Sequence, residues 1–232
     1  MTSKDCEISI FGDSLALGYV FNNLVPTRLP HNAVSVISDK LGIEIKNYSV
    51  FGQTLKRVCD KGTLERYLEA CSGGKKRIAV IALGGNDSDY YWEKVAENPD
   101  FPHDCKTNLA QFITMLNNKI TLLKDSGVTP VLVNLIPIDS KNYFKNILSK
   151  KYDGKKLLKF FRGDVNVIHR HQEVFSNEVT RAAIENDCKL LDIRSKLLWH
   201  HNLKSLMHTD GIHLNEKGQR FIAEEILKMI ES

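Results

Sequence analysis

The most informative stretch of the chain is Ile8-Ser9-Ile10-Phe11-Gly12-Asp13-Ser14-Leu15, near its start. Its apolar run stops abruptly at a glycine, which predicts a buried strand that leads into a tight turn. The turn delivers Ser14 at the carboxyl end of that strand, where open α/β sheets bind their ligands. Taken alone, Ser14 is more simply interpreted as the N-cap of a following helix, because serine is favoured at that position.

A second polar group lies near the other end of the chain, where Asp210-Gly211-Ile212-His213 precedes the last predicted helix. A carboxylate three residues before a histidine suits a short loop in which the acid turns back to the imidazole. Such an acid fixes the imidazole tautomer and stabilises the imidazolium, while the other ring nitrogen takes a proton from a hydroxyl. This group makes a nucleophilic role for Ser14 a stronger hypothesis than it is from the first stretch alone.

Two further blocks lie between these ends. Gly52 follows one predicted strand, and Asn86 stands in Gly84-Gly85-Asn86-Asp87, after the apolar run 78–83. A backbone amide and a side-chain amide, each just past a strand end, are the donors that an oxyanion needs. Each also has a simpler interpretation as a turn residue. In the hydrolytic interpretation, Gly52 is required because its N–H approaches the ligand so closely that no Cβ fits.

The four blocks, in this order, resemble the GDSL or SGNH hydrolase family over nearly the whole chain. The resemblance implies that Ser14 is the nucleophile, that His213 is the general base and that Asp210 orients it. It further implies an oxyanion hole formed by the N–H groups of Ser14 and Gly52 and by the side chain of Asn86. The family includes lipases, lysophospholipases, thioesterases and carbohydrate deacetylases, so the resemblance leaves the substrate open.

Strand-like apolar runs alternate with helical spacing, at residues 7–11, 43–50, 77–83, 130–136 and 188–193. The alternation predicts an α/β fold, a three-layer α/β/α sandwich with a mostly parallel, flavodoxin-like sheet of about five strands. Helices are expected along 109–123, capped by Thr107 or Asn108, along 165–182 and along 222–230. The sequence shows no repeat or linker, so residues 1–232 are expected to form a single domain.

Composition narrows the functional class. The chain has 232 residues, of which 42% are hydrophobic and 26% charged, and its net charge of +4 is too small to indicate nucleic-acid binding. No apolar run approaches the length of a membrane span, and no signal segment is evident, so a cytoplasmic location is expected unless a signal peptide has been removed. The five scattered cysteines form no Cys-x-x-Cys pair and are expected to be reduced. The oligomeric state is left open.

Two stretches exceed a minimal alternation of strands and helices. Residues 87–106 contain Asp87, Asp89 and Tyr90, which either line a pocket for a polar or sugar-like group or belong to a loop that packs its own aromatic rings. Residues 137–163 form the second stretch. From Lys141 to Arg162 it contains eight Lys or Arg residues and only one Asp. Long connections of this kind are often lids or binding loops, although a run of charge usually marks a solvated surface.

Histidine clustering raises a metal hypothesis, because His208, Asp210 and His213 could chelate an ion. Such a site would leave the Gly-Asp-Ser and Gly-x-Asn blocks unexplained, so no metal or cofactor is expected. The predicted function is hydrolysis of a small-molecule ester through an acyl-enzyme, with a short acyl group on a polar alcohol such as an acetylated carbohydrate. The alternatives are a thioesterase or lysophospholipase-type acylhydrolase, a metal-dependent hydrolase and, in another class, a non-catalytic binding module.

Overall fold

The first apolar run forms a strand of a parallel sheet in the computed structural model, which describes residues 6–71 and 74–231. The strands of that part of the chain are β1 Cys6–Phe11, β2 Tyr19–Asn22, β3 Val25–Arg28, β4 Ile45–Asn47, β5 Lys76–Ile81, β6 Val128–Val133 and β7 Lys189–Leu191. The strand predicted over residues 43–50 is shorter than expected, with Ile45–Asn47 in register with β1, and Tyr48 N then donates to Ile10 O at 2.8 Å.

The central sheet has the strand order β4-β1-β5-β6-β7, and every neighbouring pair in it is parallel. Numbered along the chain, this is the 2-1-3-4-5 order of doubly wound, flavodoxin-like sheets. The predicted fold class is thus confirmed. The winding reverses between β1 and β5, and the carboxyl ends of these two strands leave the crevice in which such folds bind ligands.

Helices cover both faces of the sheet. They are α1 Ser14–Leu17, α2 Ala33–Leu41, α3 Leu55–Asp60, α4 Thr63–Glu69, α5 Trp92–Glu97, α6 Leu109–Asp125, α7 Ser140–Tyr143, α8 Ser149–Lys151, α9 Gly154–Phe160, α10 Val167–Glu185, α11 Ile193–Trp199 and α12 Glu216–Glu231. A π-helical segment spans Phe144–Leu148 and a 3-10 turn spans Leu203–Ser205. Helices α3, α4, α6 and α10 pack on one face of the sheet, and α2, α11 and α12 on the other. In the part of the chain that the structure describes, no helix is both long and apolar enough to cross a membrane.

Helix starts follow from short polar side chains. The N-cap of α1 is Asp13, whose side chain accepts a hydrogen bond from Leu15 N, so the N-cap role considered for Ser14 belongs to its neighbour. Ser14 is instead the first residue of the helix, and its hydroxyl does not cap the helix. Asn108 caps α6, as one of the two expected alternatives, whereas Thr107 is buried and bonds elsewhere.

An antiparallel hairpin, β2–β3, follows α1 and is absent from the sequence-based prediction. Its two-residue turn places Asn23 and Leu24 at positive φ, the backbone of the turn types that suit the twist of hairpin strands. Leucine is not a residue that signals such a turn, and Pro26 in β3 argues against a strand. The hairpin matters because it supplies a hydrogen bond to the site described below.

The two long connections pack against each other beside the carboxyl edge of the sheet. The first contains α5, and the second contains α7, the π-helical segment, α8 and α9. A common apolar core joins them, with Trp92, Val95, Tyr143, Leu148 and Leu157 all buried. The two connections are therefore folded structure with a core of their own.

Candidate active site

Three side chains from the two ends of the chain meet at the carboxyl edge of β1. Ser14 Oγ lies 2.9 Å from His213 Nε2, and His213 Nδ1 lies 2.8 Å from Asp210 Oδ2. All three residues are buried, with exposed fractions of 7%, 3% and 1%. With the Nδ1 hydrogen directed at the carboxylate, Nε2 carries a lone pair that can accept the Ser14 hydroxyl proton. The structure thus places together the three residues that the sequence suggested.

Asp210 is held by a dense set of donors. Oδ1 accepts hydrogen bonds from the backbone N–H groups of Ile212, at 3.0 Å, and His213, at 2.9 Å. Oδ2 accepts hydrogen bonds from His213 Nδ1 and from Phe21 N, each at 2.8 Å. Phe21 belongs to the hairpin strand β2. Burial alone would raise the pKa of Asp210, but the hydrogen bond and charge of His213 and these backbone donors outweigh it and lower that pKa. The carboxylate is ionised at neutral pH.

The glycine between the acid and the base is required by the backbone. Gly211 has a φ of +78°, and a Cβ built on it would lie 2.5 Å from both Asp139 O and Tyr143 N. Its carbonyl accepts a hydrogen bond from Asp139 N at 2.8 Å. A side chain at this position would push the Asp210–His213 loop away from the start of α7, and the triad geometry with it.

Asp13 and Asn86 form the other side of the site. Asp13 Oδ1 accepts from Leu15 N at 2.9 Å, and Oδ2 accepts from Asn86 Nδ2 at 3.0 Å. An amide nitrogen has two hydrogens, so one on Asn86 remains for a ligand. Asn86 lines the same cavity as Ser14 and His213. Burial raises the pKa of Asp13 to about 6, although the Leu15 N–H, the charge of His213 and the Asn86 amide act in the opposite direction.

Gly52 lies in the loop after β4, beside the Gly12 turn, since Val50 N donates to Gly12 O at 3.2 Å. No protein heavy atom lies within 4 Å of where a Cβ on Gly52 would stand, so the predicted lack of room concerns the ligand alone and stays a prediction. The backbone gives glycine a further advantage here, because its φ of +66° is left-handed. Its contribution of an N–H to an oxyanion hole stays a prediction.

Asp87 is not placed to contact a substrate. It is completely buried, and its carboxylate accepts hydrogen bonds from Leu55 N at 2.8 Å and from Thr107 Oγ1 at 2.6 Å. Burial raises the pKa of Asp87 against these hydrogen bonds. The side chain joins the start of α3 to the end of the first long connection, which corrects the expectation of a ligand-binding role.

Asp89 and Tyr90 do line the cavity that contains Ser14. Asp89 accepts from Trp92 Nε1 at 2.8 Å and pairs with Lys106 Nζ at 2.8 Å. The Tyr90 ring stacks on His171 with a centroid distance of 5.1 Å, and burial raises the pKa of Tyr90 to about 12. Both alternatives for this loop are therefore visible, since its aromatic rings pack among themselves and also face the cavity. Substrate contact by either residue stays a prediction.

His208 and His213 both turn toward the same carboxylate oxygen, with their Nδ1 atoms 3.1 Å and 2.8 Å from Asp210 Oδ2. Within residues 6–71 and 74–231, no group of three or more His, Cys, Asp or Glu side chains is arranged to hold a metal ion.

The sequence profile described as GDSL-like Lipase/Acylhydrolase matches residues 8–226. No curated protein matches the chain. Among solved structures, the chain is similar to a lipolytic protein of the G-D-S-L family from Veillonella parvula (TM-score 0.68, 16% identity, 97% of this chain and 98% of that one). It is also similar to the lipase/acylhydrolase from Enterococcus faecalis (TM-score 0.64, 14% identity, 97% and 95%) and to the acetyl xylan esterase AlAXEase (TM-score 0.62, 18% identity, 96% and 98%). At these identities, the structural likeness shows the fold.

Proposed function

This chain belongs to the family of GDSL-like lipases and acylhydrolases, and we propose on that basis that it hydrolyses an ester through an acyl-enzyme formed on Ser14. One observation carries the proposal: the unbroken chain of hydrogen bonds from Ser14 Oγ through the His213 ring to Asp210. A hydroxyl, a base and an orienting acid in this geometry are the parts of a nucleophilic triad on any fold.

In the first half-reaction, Ser14 Oγ attacks the carbonyl carbon of the ester, and its proton passes to His213 Nε2. Asp210 stays ionised and stabilises the imidazolium that forms. The tetrahedral intermediate collapses when His213 gives that proton to the leaving alcohol oxygen, so the C–O bond of the ester breaks and an ester of Ser14 remains.

Stabilisation of the intermediate is assigned to the Asn86 side chain and to the backbone N–H groups of Ser14 and Gly52. These donors would bond the carbonyl oxygen more strongly as it becomes an oxyanion, which lowers the barrier rather than only tightening binding. The hydrogen bond from Asn86 to Asp13 supports this role, because it fixes the amide plane before a substrate arrives.

In the second half-reaction, water takes the place of the alcohol. His213 removes a proton from the water as it attacks the acyl carbon, and then returns the proton to Ser14 Oγ as the carboxylic acid leaves. The same donors serve both intermediates.

The sequence-based expectation for the substrate is a short acyl group on a polar alcohol, and the likeness to an acetyl xylan esterase is consistent with it. A thioester would react by the same steps, with a thiol as the leaving group. The residues of the two long connections that line the cavity are mostly aromatic and aliphatic, such as Tyr90, Trp92 and Ile138, with Ser88 and Asp89 as polar exceptions.

The proposal is tested with a fluorophosphonate probe, which reacts covalently with activated serines, and with a chromogenic acetate ester. The parent protein should be labelled and should release the chromophore, whereas Ser14→Ala should do neither. Ser88→Ala is a matched control for labelling, because Ser88 lines the same cavity but donates its hydroxyl to Gly85 O at 2.9 Å. Full labelling of Ser14→Ala would refute the nucleophile. A folded parent protein that neither reacts nor turns over any ester would favour the binding module.

A further inference from the structure

The two faces of the middle strand β5 are buried to different degrees. Ala79 and Ile81, which face α6 and α10, have exposed fractions of 0% and 3%. Ile78 and Val80, which alternate with them and face α2 and α12, are only partly buried, as is Ala82 just beyond the strand. A central strand of a sheet covered by helices on both faces should be buried on both. Space is therefore left between the sheet and the layer of α2 and α12.

That space belongs to one cavity of about 350 Å³, which also contains the catalytic side chains. At one end it is lined by Ser14 and His213, at the carboxyl edge of the sheet. It continues over the sheet face and reaches Leu41 and Ile230, at the far ends of α2 and α12. At about 3.3 Å per residue, the six residues of β1 span roughly 20 Å, which sets the scale of its length.

The chemistry of the lining changes along this length. Asp13, Ser14, Asn86 and His213 lie at the mouth, whereas the interior between the sheet and the helices is formed by isoleucine, valine, leucine and alanine side chains. Lys189 is an exception at the far end, where its Nζ donates to Met229 O at 2.7 Å. Empty apolar cavities destabilise a fold, and cavities of this kind remain dry and take up apolar ligands.

We propose that this cavity receives the acyl chain of the substrate, so that the enzyme acts on esters or thioesters of straight, apolar acyl groups of up to about ten carbons. The inference rests on the proposed function, because the acyl carbon must sit at Ser14 for the chain to enter from there. A methylene occupies about the volume of a water molecule, roughly 30 Å³, so the whole 350 Å³, with the polar mouth included, sets an upper bound of about ten carbons. The alcohol or thiol then lies outside, against the two long connections.

This substrate differs from the short acyl group expected from the sequence. An acetyl group would occupy only the polar mouth and would leave the apolar interior empty. Each methylene that enters the interior is transferred out of water, which raises the binding constant by up to about fourfold per methylene. Selectivity should therefore rise with chain length until the cavity is filled.

The test compares kcat/KM for p-nitrophenyl acetate, hexanoate and decanoate. In the parent enzyme, kcat/KM should rise from acetate to decanoate. Val80→Phe fills the cavity midway along the sheet, so it should lower the decanoate-to-acetate ratio of kcat/KM at least tenfold. Val36→Phe is the matched control, because Val36 is partly buried in the same layer but does not line the cavity, and its ratio should equal that of the parent. Thermal denaturation confirms that both variants are folded.

A second measurement does not need turnover. Decanoate should raise the melting temperature of Ser14→Ala, and it should not do so when Val80→Phe is added to that variant. If the parent hydrolyses all three esters with similar kcat/KM and decanoate has no effect, the acyl-chain inference is wrong and the proposed function stands. If decanoate binds in this way but Ser14 is neither labelled nor able to turn over an ester, the cavity assignment stands as a fatty-acid site and the proposed function fails.

Discussion

Two buried aspartates flank Ser14, the proposed nucleophile, and differ in their surroundings. Asp210 accepts four hydrogen bonds from backbone and ring N–H groups, and these lower its pKa. Asp13 accepts two, from Leu15 N and Asn86 Nδ2, and burial raises its pKa to about 6. Both carboxylates are thus mostly ionised at pH 7, but Asp13 takes up a proton under mildly acidic conditions whereas Asp210 stays ionised.

In the proposed mechanism, the two aspartates lie on sides of the site where charge of opposite sign develops. On the His213 side, positive charge develops on the imidazole, and a fixed negative charge on Asp210 stabilises it. On the Asn86 side, the proposed mechanism develops negative charge on the substrate oxygen, and Asp13 acts there by holding the Asn86 amide that would bond this oxygen. Opposite shifts of paired titratable groups are a common sign of divided roles in an active site. Each side can be tested by removing its carboxylate.

The largest effect is expected from Asp210→Asn. The amide leaves the loop shape similar but favours the wrong tautomer of His213, so kcat should fall by about 10⁴-fold. The measurement is kcat for a chromogenic ester, with circular dichroism to confirm folding. A loss smaller than tenfold would mean that the ionised carboxylate is not needed, and the contrast between the two aspartates would lose its catalytic meaning.

The other side should give a smaller loss of a different kind. Asp13→Asn leaves one acceptor oxygen for the two donors Leu15 N and Asn86 Nδ2 and sets a second NH2 group against one of them, and Asn86→Ala removes the amide itself. Each change should lower kcat by about 10²-fold with little change in KM, because the lost donor acts on charge that develops during attack.

The double variant sharpens this test. If Asp13 acts through Asn86, Asp13→Asn combined with Asn86→Ala should be no worse than Asn86→Ala alone, since coupled residues are not additive. Fully additive losses would give Asp13 a separate role, and a rise in KM at constant kcat would make Asn86 a substrate-binding residue instead.

The triad was predictable because its residues carry their own signals. A glycine after a strand, and an acid three residues before a histidine, are local patterns, and the parallel topology then brings the ends of strands to one edge. The hydrogen bond from Phe21 N to Asp210 was not predictable, because the hairpin that carries it turns through Asn23 and Leu24 without a glycine.

Other features could not be predicted from the sequence, because they depend on packing between distant segments. Asp87 follows Asn86 in the chain, yet it points to α3 and Thr107, and nothing in the local pattern separates the two directions. The apolar run 78–83 correctly predicted a strand. It could not show that one face of the strand borders a cavity, because the gap depends on where α2 and α12 lie over the sheet.

The two aspartates should also differ in how they link stability to pH. The pKa of Asp13 is raised from 3.8 to about 6 by folding, so the folded state binds more protons than the unfolded state between these values, and stability falls as pH rises through them. The decrease should approach about 3 kcal/mol. The contribution of Asp210 to stability is constant in this window. Folding lowers the pKa of Asp210, so this contribution is lost only under more acidic conditions. Urea denaturation at several values between pH 4 and 7 should show a flatter profile for Asp13→Asn than for the parent, and parallel profiles would contradict the raised pKa.

The smallest effect is expected at His208, whose Nδ1 lies 3.1 Å from Asp210 Oδ2 and 3.3 Å from Asp210 N. His208→Ala removes the acceptor of the Asp210 backbone N–H and leaves the four donors to the carboxylate in place, so the net loss should be that of a single hydrogen bond, about two- to tenfold in kcat/KM. The measurement is made beside Asp210→Asn on the same ester. If His208→Ala approached the 10⁴-fold loss of that variant, the imidazole would be an essential part of the acid side of the site. The contrast would then lie between one lone aspartate, Asp13, and an aspartate held between two histidines.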